Sequence, residues 1–286
     1  MLTGSRPPIR PFESGGRGRK GYRRKERPRR GRPRVLTILI VLLIVAAAGA
    51  AVYVGTPYGP SAQANAALRG SEAVTVSQKE DWIEFEPAAS GEQTLKQPGV
   101  IFYPGARVKP EAYGVLAKKL AQAGRHVVIV KMPFNFAVLG TDKAADVLKA
   151  YPDERFVIGG HSLGGPFAAR YAAENPGSVD GIFFLASYAE SKGDLSQSKL
   201  PALSITGSKD EILDRERYEK GRAYLPAGAV YEVIEGGSHA QFGSYGEQWS
   251  DGKASISAAE QAERTAALIV QWLDALPADT QSGGGE

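Results

Sequence analysis

A serine between glycines gives the strongest chemical signal in this sequence. Residues 160–164 read GHSLG, which fits the Gly-x-Ser-x-Gly pattern of a nucleophilic serine at a sharp strand-to-helix turn. The pattern needs glycine at both ends because a side chain there would collide with neighbouring backbone. One further glycine lies on each side of the segment, and a buried strand and a helix are predicted before and after it. We therefore predict that Ser162 is a catalytic nucleophile.

A serine hydroxyl attacks a carbonyl carbon effectively only when a base removes its proton, and histidine is the usual base. The chain has three histidines. His126 begins a predicted strand, which is typical of a structural residue, and His161 is expected to point away from the Ser162 hydroxyl. His239 ends a glycine-rich loop directly after the last predicted strand. Because sheets of parallel strands place their sites at the carboxyl ends of strands, His239 is predicted to be the base.

The third member of such a triad is an acid that lies between the serine and the histidine in the chain. Asp210 follows a predicted strand at 202–205 and is the favoured residue. Its carboxylate is expected to accept the Nδ1 proton of His239 and to stabilise the imidazolium ion. Glu211 and Asp214 remain alternatives for this role.

An oxyanion formed during acyl transfer needs two backbone N–H donors. One is predicted to be the amide of Leu163, the residue after the nucleophile. The other is expected in the turn PGAR at residues 104–107, directly after a short apolar strand. Ala106 is the favoured donor in this turn, and Arg107 is the alternative.

Strands that alternate with helices must position these residues. Such a pattern indicates an α/β fold with a mainly parallel sheet and helices on both faces. Buried strands are predicted at 99–103, 126–130, 155–158, 181–185, 202–205 and 230–234, after two half-buried strands near 74–76 and 83–86, with helices at 110–123, 141–150, 165–174 and 257–276. The catalytic candidates then follow strands at one edge of the sheet.

With these motifs the chain resembles the α/β-hydrolase superfamily over about residues 72–278. The resemblance depends on the proline-glycine turn at 104–105, GGHSLGG at 159–165, TGSKD at 206–210 and GGSH at 236–239. KMPFNFAVLG at 131–140 is similar to bacterial, membrane-anchored hydrolases related to dienelactone hydrolases. The resemblance implies an α/β-hydrolase fold with a minimal cap or none, and serine-dependent acyl transfer.

The sequence departs from this pattern in two places. Pro104 stands where a histidine is common in the oxyanion turn. Dienelactone hydrolases proper use a cysteine nucleophile, and this chain has no cysteine, so their substrate is not carried over. The lack of cysteine also excludes disulfides and thiolate metal sites.

A basic tail and an apolar run precede the predicted catalytic domain. Residues 1–34 contain 13 lysines and arginines and two acids, a net charge of +11, which leaves −7 for the rest of the chain. Residues 35–54 carry no charge, and a helix of 20 residues spans about 30 Å, the thickness of the bilayer core. We predict a single transmembrane helix in the cell membrane, with a cytoplasmic N-terminus and an extracytoplasmic catalytic domain.

The remaining boundaries follow from composition. Residues 1–34 are predicted to be a disordered tail that touches anionic lipid, with no nucleic-acid partner expected. Residues 55–71 are predicted to be a linker, residues 72–278 the catalytic domain and residues 279–286 a disordered end. A cleaved signal peptide is the alternative, because Ala62, Gln63 and Ala64 resemble a cleavage site.

The leading hypothesis is a hydrolase of carboxylic esters that requires no metal or organic cofactor. In this fold a cap is usually inserted after the strand at 181–185, but only the short polar stretch 186–201 follows it here. We therefore expect small-molecule esters with small or short acyl groups as substrates. The sequence leaves open an acyltransferase or peptidase with the same triad, and a surface binding module without activity.

Overall fold

The computed structural model describes Gly21, residues 32–88 and residues 97–277. Apart from Gly21 and the first residues of the first helix, the predicted basic tail at 1–34 lies outside the described residues. The predicted disordered end at 279–286 also lies outside them. The chain divides into two units, Met1–Ala48 and Gly49–Glu286.

The first helix, α1 (Arg32–Gly55), contains the predicted membrane span. Its stretch Val35–Gly55 has a mean hydropathy of 3.0, and none of it is buried. A buried core helix would cover such side chains, so this helix is not part of a soluble core. Its length and composition fit both a membrane anchor and an N-terminal signal sequence.

The segment at 55–71, which the sequence suggested was a linker, is packed in the structure. It contains helix α2 (Ala62–Ala67), whose N-terminus is capped by the Ser61 hydroxyl. Ala64 and Ala67 are buried, and the Ala64 carbonyl lies so close to Gly114 that a side chain there would be tight. Small residues, which gave the segment its linker-like composition, instead allow this close packing. The segment therefore belongs to the second unit.

Eight strands form one sheet. They are β1 (Val74–Gln78), β2 (Trp82–Pro87), β3 (Gly99–Tyr103), β4 (Val127–Val130), β5 (Phe156–His161), β6 (Ile182–Leu185), β7 (Ala202–Gly207) and β8 (Val230–Ile234). The order is β1-β2-β4-β3-β5-β6-β7-β8. The pairs β1–β2 and β2–β4 are antiparallel, and the other pairs are parallel. The predicted mainly parallel sheet is confirmed.

Helices cover both faces of this sheet. They are α3 (Gly114–Gln122), α4 (Lys143–Ala150), α5 (Gly164–Glu174), α6 (Arg215–Gly221) and α7 (Ala258–Asp274). Neighbouring residues of β3 alternate between two cores, as a strand with a period of two requires. Phe102 packs in the core with α3 and α7, and Ile101 and Tyr103 pack in the core with α4 and α5.

The connection from β6 to β7, where a cap would be inserted, is short and fully described. Residues 186–201 contain a single 3-10 turn at Ser191–Gly193. Gly193 approaches the backbone of Ala169 in α5, so closely that a side chain at Gly193 would overlap it. The connection therefore packs along α5 and forms no separate cap.

Candidate active site

Ser162 lies in a sharp turn between β5 and α5. Its φ angle is +51°, in the left-handed region that residues with a side chain rarely adopt. A side chain at Gly160 would overlap the backbone of Gly164, and one at Gly164 would overlap the carbonyl of Tyr103. The two glycines of the motif thus let the chain reverse and let β3 approach the turn. Such strain is common at functional sites.

Asp210 and His239 form a buried pair at the carboxyl ends of β7 and β8. The Nδ1 atom of His239 lies 2.9 Å from Oδ2 of Asp210. The other oxygen of Asp210 accepts hydrogen bonds from the amides of Ile212 and Leu213, at 2.9 and 2.8 Å. These bonds fix the carboxylate, and the carboxylate orients the imidazole. An imidazole that donates from Nδ1 presents Nε2 as the acceptor for another proton.

The alternative acids lie elsewhere. Asp214 is the N-cap of α6 and accepts a hydrogen bond from the amide of Arg217 at 3.0 Å. Glu211 is exposed. Neither forms a hydrogen bond with His239 in the described part of the chain. No hydrogen bond joins Ser162 to His239 there either, which is common for such pairs when no substrate is bound.

His161 packs against His239. The ring centres of His161 and His239 are 4.7 Å apart, and the Tyr113 hydroxyl lies 2.8 Å from Nδ1 of His161. Burial, and then the proximity of His239, hold the pKa of His161 well below its usual value. A neutral His161 places no positive charge beside His239 when that residue takes a proton. The position of His161 in the motif gave no sign of this contact.

Within the described part of the chain, the turn at 104–107 leaves one backbone donor without a partner. Pro104 has no N–H group, the amide of Gly105 donates to the Tyr113 hydroxyl at 2.9 Å, and that of Arg107 donates to the Asn135 carbonyl at 2.8 Å. Among the described residues, the amides of Ala106 and Leu163 have no such acceptor. The two amides favoured from the sequence are therefore available as donors, whereas the amide of Arg107 is already hydrogen-bonded to the Asn135 carbonyl.

Two further side chains, which the sequence analysis did not identify, position the His239 loop. The Asp251 carboxylate accepts hydrogen bonds from the amides of Ala240 and His239, at 2.8 and 3.3 Å. Gln261 of α7 exchanges two hydrogen bonds with the backbone of Ser238, at 2.9 and 2.8 Å. No motif marks either residue, because both lie outside the glycine-rich segments and act on the loop from other parts of the chain.

Glu84, Glu86 and His126 are close enough together to hold a metal ion. However, His126 already contacts Glu84 at 3.0 Å and Glu154 at 2.6 Å, and Glu84 also pairs with Lys79 at 2.7 Å. His126 and Glu84 therefore already have partners, as in a structural ion network. The cluster involves β2 and the start of β4 and does not include the residues around Ser162. The prediction that catalysis needs no cofactor stays a prediction.

Residues 99–263, more than half of the chain, match the sequence profile described as the alpha/beta hydrolase family. The chain therefore belongs to the alpha/beta hydrolase family. The resemblance predicted from the glycine-rich motifs is confirmed, and the chain is assigned to the hydrolases.

Solved structures share this fold at low sequence identity. A membrane phospholipase A, a bacterial virulence factor, aligns with a TM-score of 0.54 and 17% identity over 85% of this chain and 98% of its own. A predicted CIB-like hydrolase from Thermoplasma acidophilum aligns with a TM-score of 0.53 and 17% identity. The alignment covers 69% of this chain and 99% of that hydrolase. Dienelactone hydrolase from Anabaena variabilis aligns with a TM-score of 0.50 and 19% identity. The alignment covers 71% of this chain and 99% of that enzyme. At these identities the likeness shows the fold alone. No curated protein sequence matches the chain.

Proposed function

We propose that this protein is a serine hydrolase that cleaves carboxylic esters. Ser162 is the nucleophile, His239 the general base and Asp210 the acid that orients it. The observation that carries the proposal is the buried pair of His239 and Asp210, 2.9 Å apart, in a fold whose elbow holds Ser162 at a φ of +51°. A serine in a strained elbow and an oriented histidine are the two parts that acyl transfer needs.

The reaction proceeds in two displacements. Ser162 Oγ attacks the ester carbonyl while His239 Nε2 takes its proton, and the amides of Ala106 and Leu163 stabilise the oxyanion. The histidine then gives this proton to the leaving alcohol, and an acyl-enzyme remains. His239 next takes a proton from a water, whose oxygen attacks the acyl carbon. The bond from the acyl carbon to Ser162 Oγ then breaks, His239 returns the proton to Oγ, and the carboxylic acid leaves. Neither displacement needs a metal or an organic cofactor.

The substrates are small or carry short acyl groups. The uncapped β6–β7 connection supports this part of the proposal, because a long acyl chain would find no lid to remove it from water. Each methylene left in water forfeits about 0.8 kcal/mol of transfer free energy. Selectivity for longer chains is therefore weak.

The protein is anchored in the cell membrane by α1, with its N-terminus in the cytoplasm and its catalytic domain outside. The uncharged stretch Val35–Gly55 and the basic residues before it support this arrangement. Its partners are the ester substrate and membrane lipid, and no nucleic acid is among them.

A fluorophosphonate probe tests the mechanism directly. Ser162→Ala is expected to abolish both covalent labelling and ester hydrolysis, because no other side chain replaces the attacking oxygen. Ser191→Ala changes an exposed serine in the β6–β7 connection and is the matched control, with labelling and rate expected to match the wild type. Labelling that persists in Ser162→Ala would disprove the mechanism. An unlabelled, folded wild type would point instead to an inactive binding module.

The same preparation tests the size of the substrate. Values of kcat/KM are measured for p-nitrophenyl esters from C2 to C12, below and above the micellar threshold. We expect a maximum at short chains and no increase at the micellar threshold. A preference for the longest esters with a jump at the interface would show that another segment covers the acyl chain.

A further inference from the structure

Three large apolar side chains are exposed next to the candidate site. Phe134, Val138 and Leu139, the apolar rim, are 70%, 51% and 55% exposed. The same loop buries Met132 and Ala137 in the core that contains α5, the helix that begins behind Ser162. The loop is therefore fixed at its base, while its apolar rim faces outward. Exposed apolar side chains grouped in this way mark a surface that meets an apolar partner.

The loop that bears Phe134 has an unusual backbone conformation. Phe134 and Asn135 have φ angles of +51° and +60°, two successive left-handed residues that are not glycine. The Asn135 carbonyl accepts a hydrogen bond from the amide of Arg107, a residue of the oxyanion turn. The strained loop is thus tied to the turn that contains the proposed oxyanion donor.

Arg107 also binds the chain where it leaves the apolar helix. Its Nε atom donates to the Tyr53 carbonyl at 2.8 Å, and its Nη2 atom donates to the Thr56 carbonyl at 2.7 Å. The guanidinium lies 3.7 Å from the centre of the Tyr53 ring. The backbone of Tyr58 makes two more hydrogen bonds. Its amide donates to the Arg107 carbonyl, and its carbonyl accepts from the amide of Lys109. Residues 53–58, at the end of α1 and directly after it, are therefore bound to the turn at 104–107 within the second unit.

These contacts place the apolar rim near the point where the chain leaves the bilayer. Tyrosines such as Tyr53 and Tyr58 are enriched at the boundary between lipid and water. Arg107 contacts both of these residues and the loop that bears the rim. We infer that the apolar rim contacts the surface of the same membrane that anchors α1, so that the candidate site opens at the boundary between lipid and water. The inference rests on the proposed membrane anchor and not on the assignment of the triad.

Fluorophores attached to single cysteines test this inference in the full chain, because the natural sequence has no cysteine. Leu139→Cys and Val138→Cys report on the rim, and Leu43→Cys reports on α1. Val233→Cys is the matched control, since Val233 is also 54% exposed. It lies on β8, four strands from β3, which is roughly 19 Å at about 4.8 Å per strand. Each variant carries an environment-sensitive label and is reconstituted in vesicles of phosphatidylcholine and phosphatidylglycerol with spin-labelled lipids.

We expect both rim labels to shift to the blue and to be quenched most by lipids with shallow spin labels. The label at Leu43 should be quenched most by deep spin labels, and the label at Val233 should not be quenched. If the label at Leu43 is quenched while both rim labels, like the label at Val233, are not quenched, the inference is overturned and the proposed anchor is supported. If Leu43 is not quenched, the anchor fails and the inference fails with it. A blue shift of the rim labels without lipid quenching would show that a second copy covers the rim, which also overturns the inference.

Discussion

The Asp251 carboxylate binds backbone amides in two loops of the candidate site. The Asp251 carboxylate accepts hydrogen bonds from the amides of Ala240 and His239. It also accepts a longer hydrogen bond, of 3.4 Å, from the amide of Glu211. Glu211 directly follows the proposed acid. Asp251 thereby joins the loop of the proposed base to the loop of the proposed acid, although within the described residues none of its hydrogen bonds goes to the side chain of Asp210 or His239. We expect it to act as a positioning residue.

Asp251→Ala should lower kcat by up to about 100-fold, because a displacement of about 1 Å in a catalytic group has an effect of this size. KM for a short ester should change little, since the binding energy of the ester is expected to come from contacts other than those of Asp251. Asp251→Asn keeps one acceptor oxygen and should recover part of the rate. Steady-state kinetics and the rate of fluorophosphonate labelling measure both effects.

Asp153→Ala, which removes an exposed carboxylate, is the control for the change of charge. Thermal unfolding of each variant separates a displaced loop from a lost fold. A variant Asp251→Ala with wild-type kcat would show that the two loops hold their positions without this carboxylate.

At the scale of elements, a buried ion network joins β2, the start of β4 and the connection from α4 to β5. His126 lies between Glu84 and Glu154, and Glu84 also binds Lys79. Burial disfavours the charge on His126, but hydrogen bonds with Glu154 and Glu84 outweigh it and raise its pKa to about 9. Burial likewise opposes the charge on Glu84, but hydrogen bonds from His126, Lys79 and Tyr151 lower its pKa to about 2. The structural reading of His126 from its sequence position agrees with this network.

The raised pKa of His126 predicts how stability depends on pH. An unfolded histidine loses its proton near pH 6.5, whereas folded His126 keeps it to about pH 9. The contribution of His126 is therefore complete below pH 6.5 and is lost as pH rises through about 9. His126→Gln should remove this part of the slope and should destabilise the fold by about 3 kcal/mol at pH 6, since it leaves the Glu154 carboxylate without its partner and leaves Glu84 with Lys79 and Tyr151 only.

Denaturant unfolding of the full chain in detergent, followed by tryptophan fluorescence between pH 6 and 10, measures this slope. Lys220→Gln, which breaks an exposed ion pair with Glu216, is the control and should leave the slope unchanged. An equal slope in His126→Gln and in the wild type would assign the pH dependence to other groups.

At the scale of the whole molecule, charge is distributed unevenly along the chain. A net charge of +11 precedes the apolar stretch, and −7 follows it. Basic residues are retained on the cytoplasmic side of a membrane, so we expect the basic residues before the apolar stretch to orient α1 with its N-terminus in the cytoplasm. The domain, with its proposed site, is then expected outside the cytoplasm.

Epitope tags at the two ends of the chain test this orientation. Protease added to intact spheroplasts should remove the C-terminal tag and should spare the N-terminal tag until the membrane is permeabilised. A cytoplasmic protein that stays intact is the control for leakage. Protection of the C-terminal tag would reverse the proposed orientation, and recovery of the whole chain in the soluble cytoplasmic fraction would exclude the anchor.

The sequence by itself determined the fold class and the catalytic candidates, because both depend on local rules. The elbow at Ser162 follows from the steric need for glycine two residues to each side. Asp210 and His239 follow from their positions directly after strands that parallel pairing brings to one edge. The apolar stretch of α1 was likewise evident from composition, because a run of 20 residues without a charge is read directly from the sequence.

The tertiary structure alone decided which groups meet across these elements. The amide of Ala106 is available, and that of Arg107 is not, because the latter finds the Asn135 carbonyl in a loop 28 residues away in the chain. Asp251 contacts the catalytic loops, and residues 55–71 pack against the domain, for the same reason. Periodicity and spacing in the sequence indicate the local conformation of each turn or strand. Hydrogen bonds between loops depend on how separate elements pack, and short-range patterns in the sequence do not predict that packing.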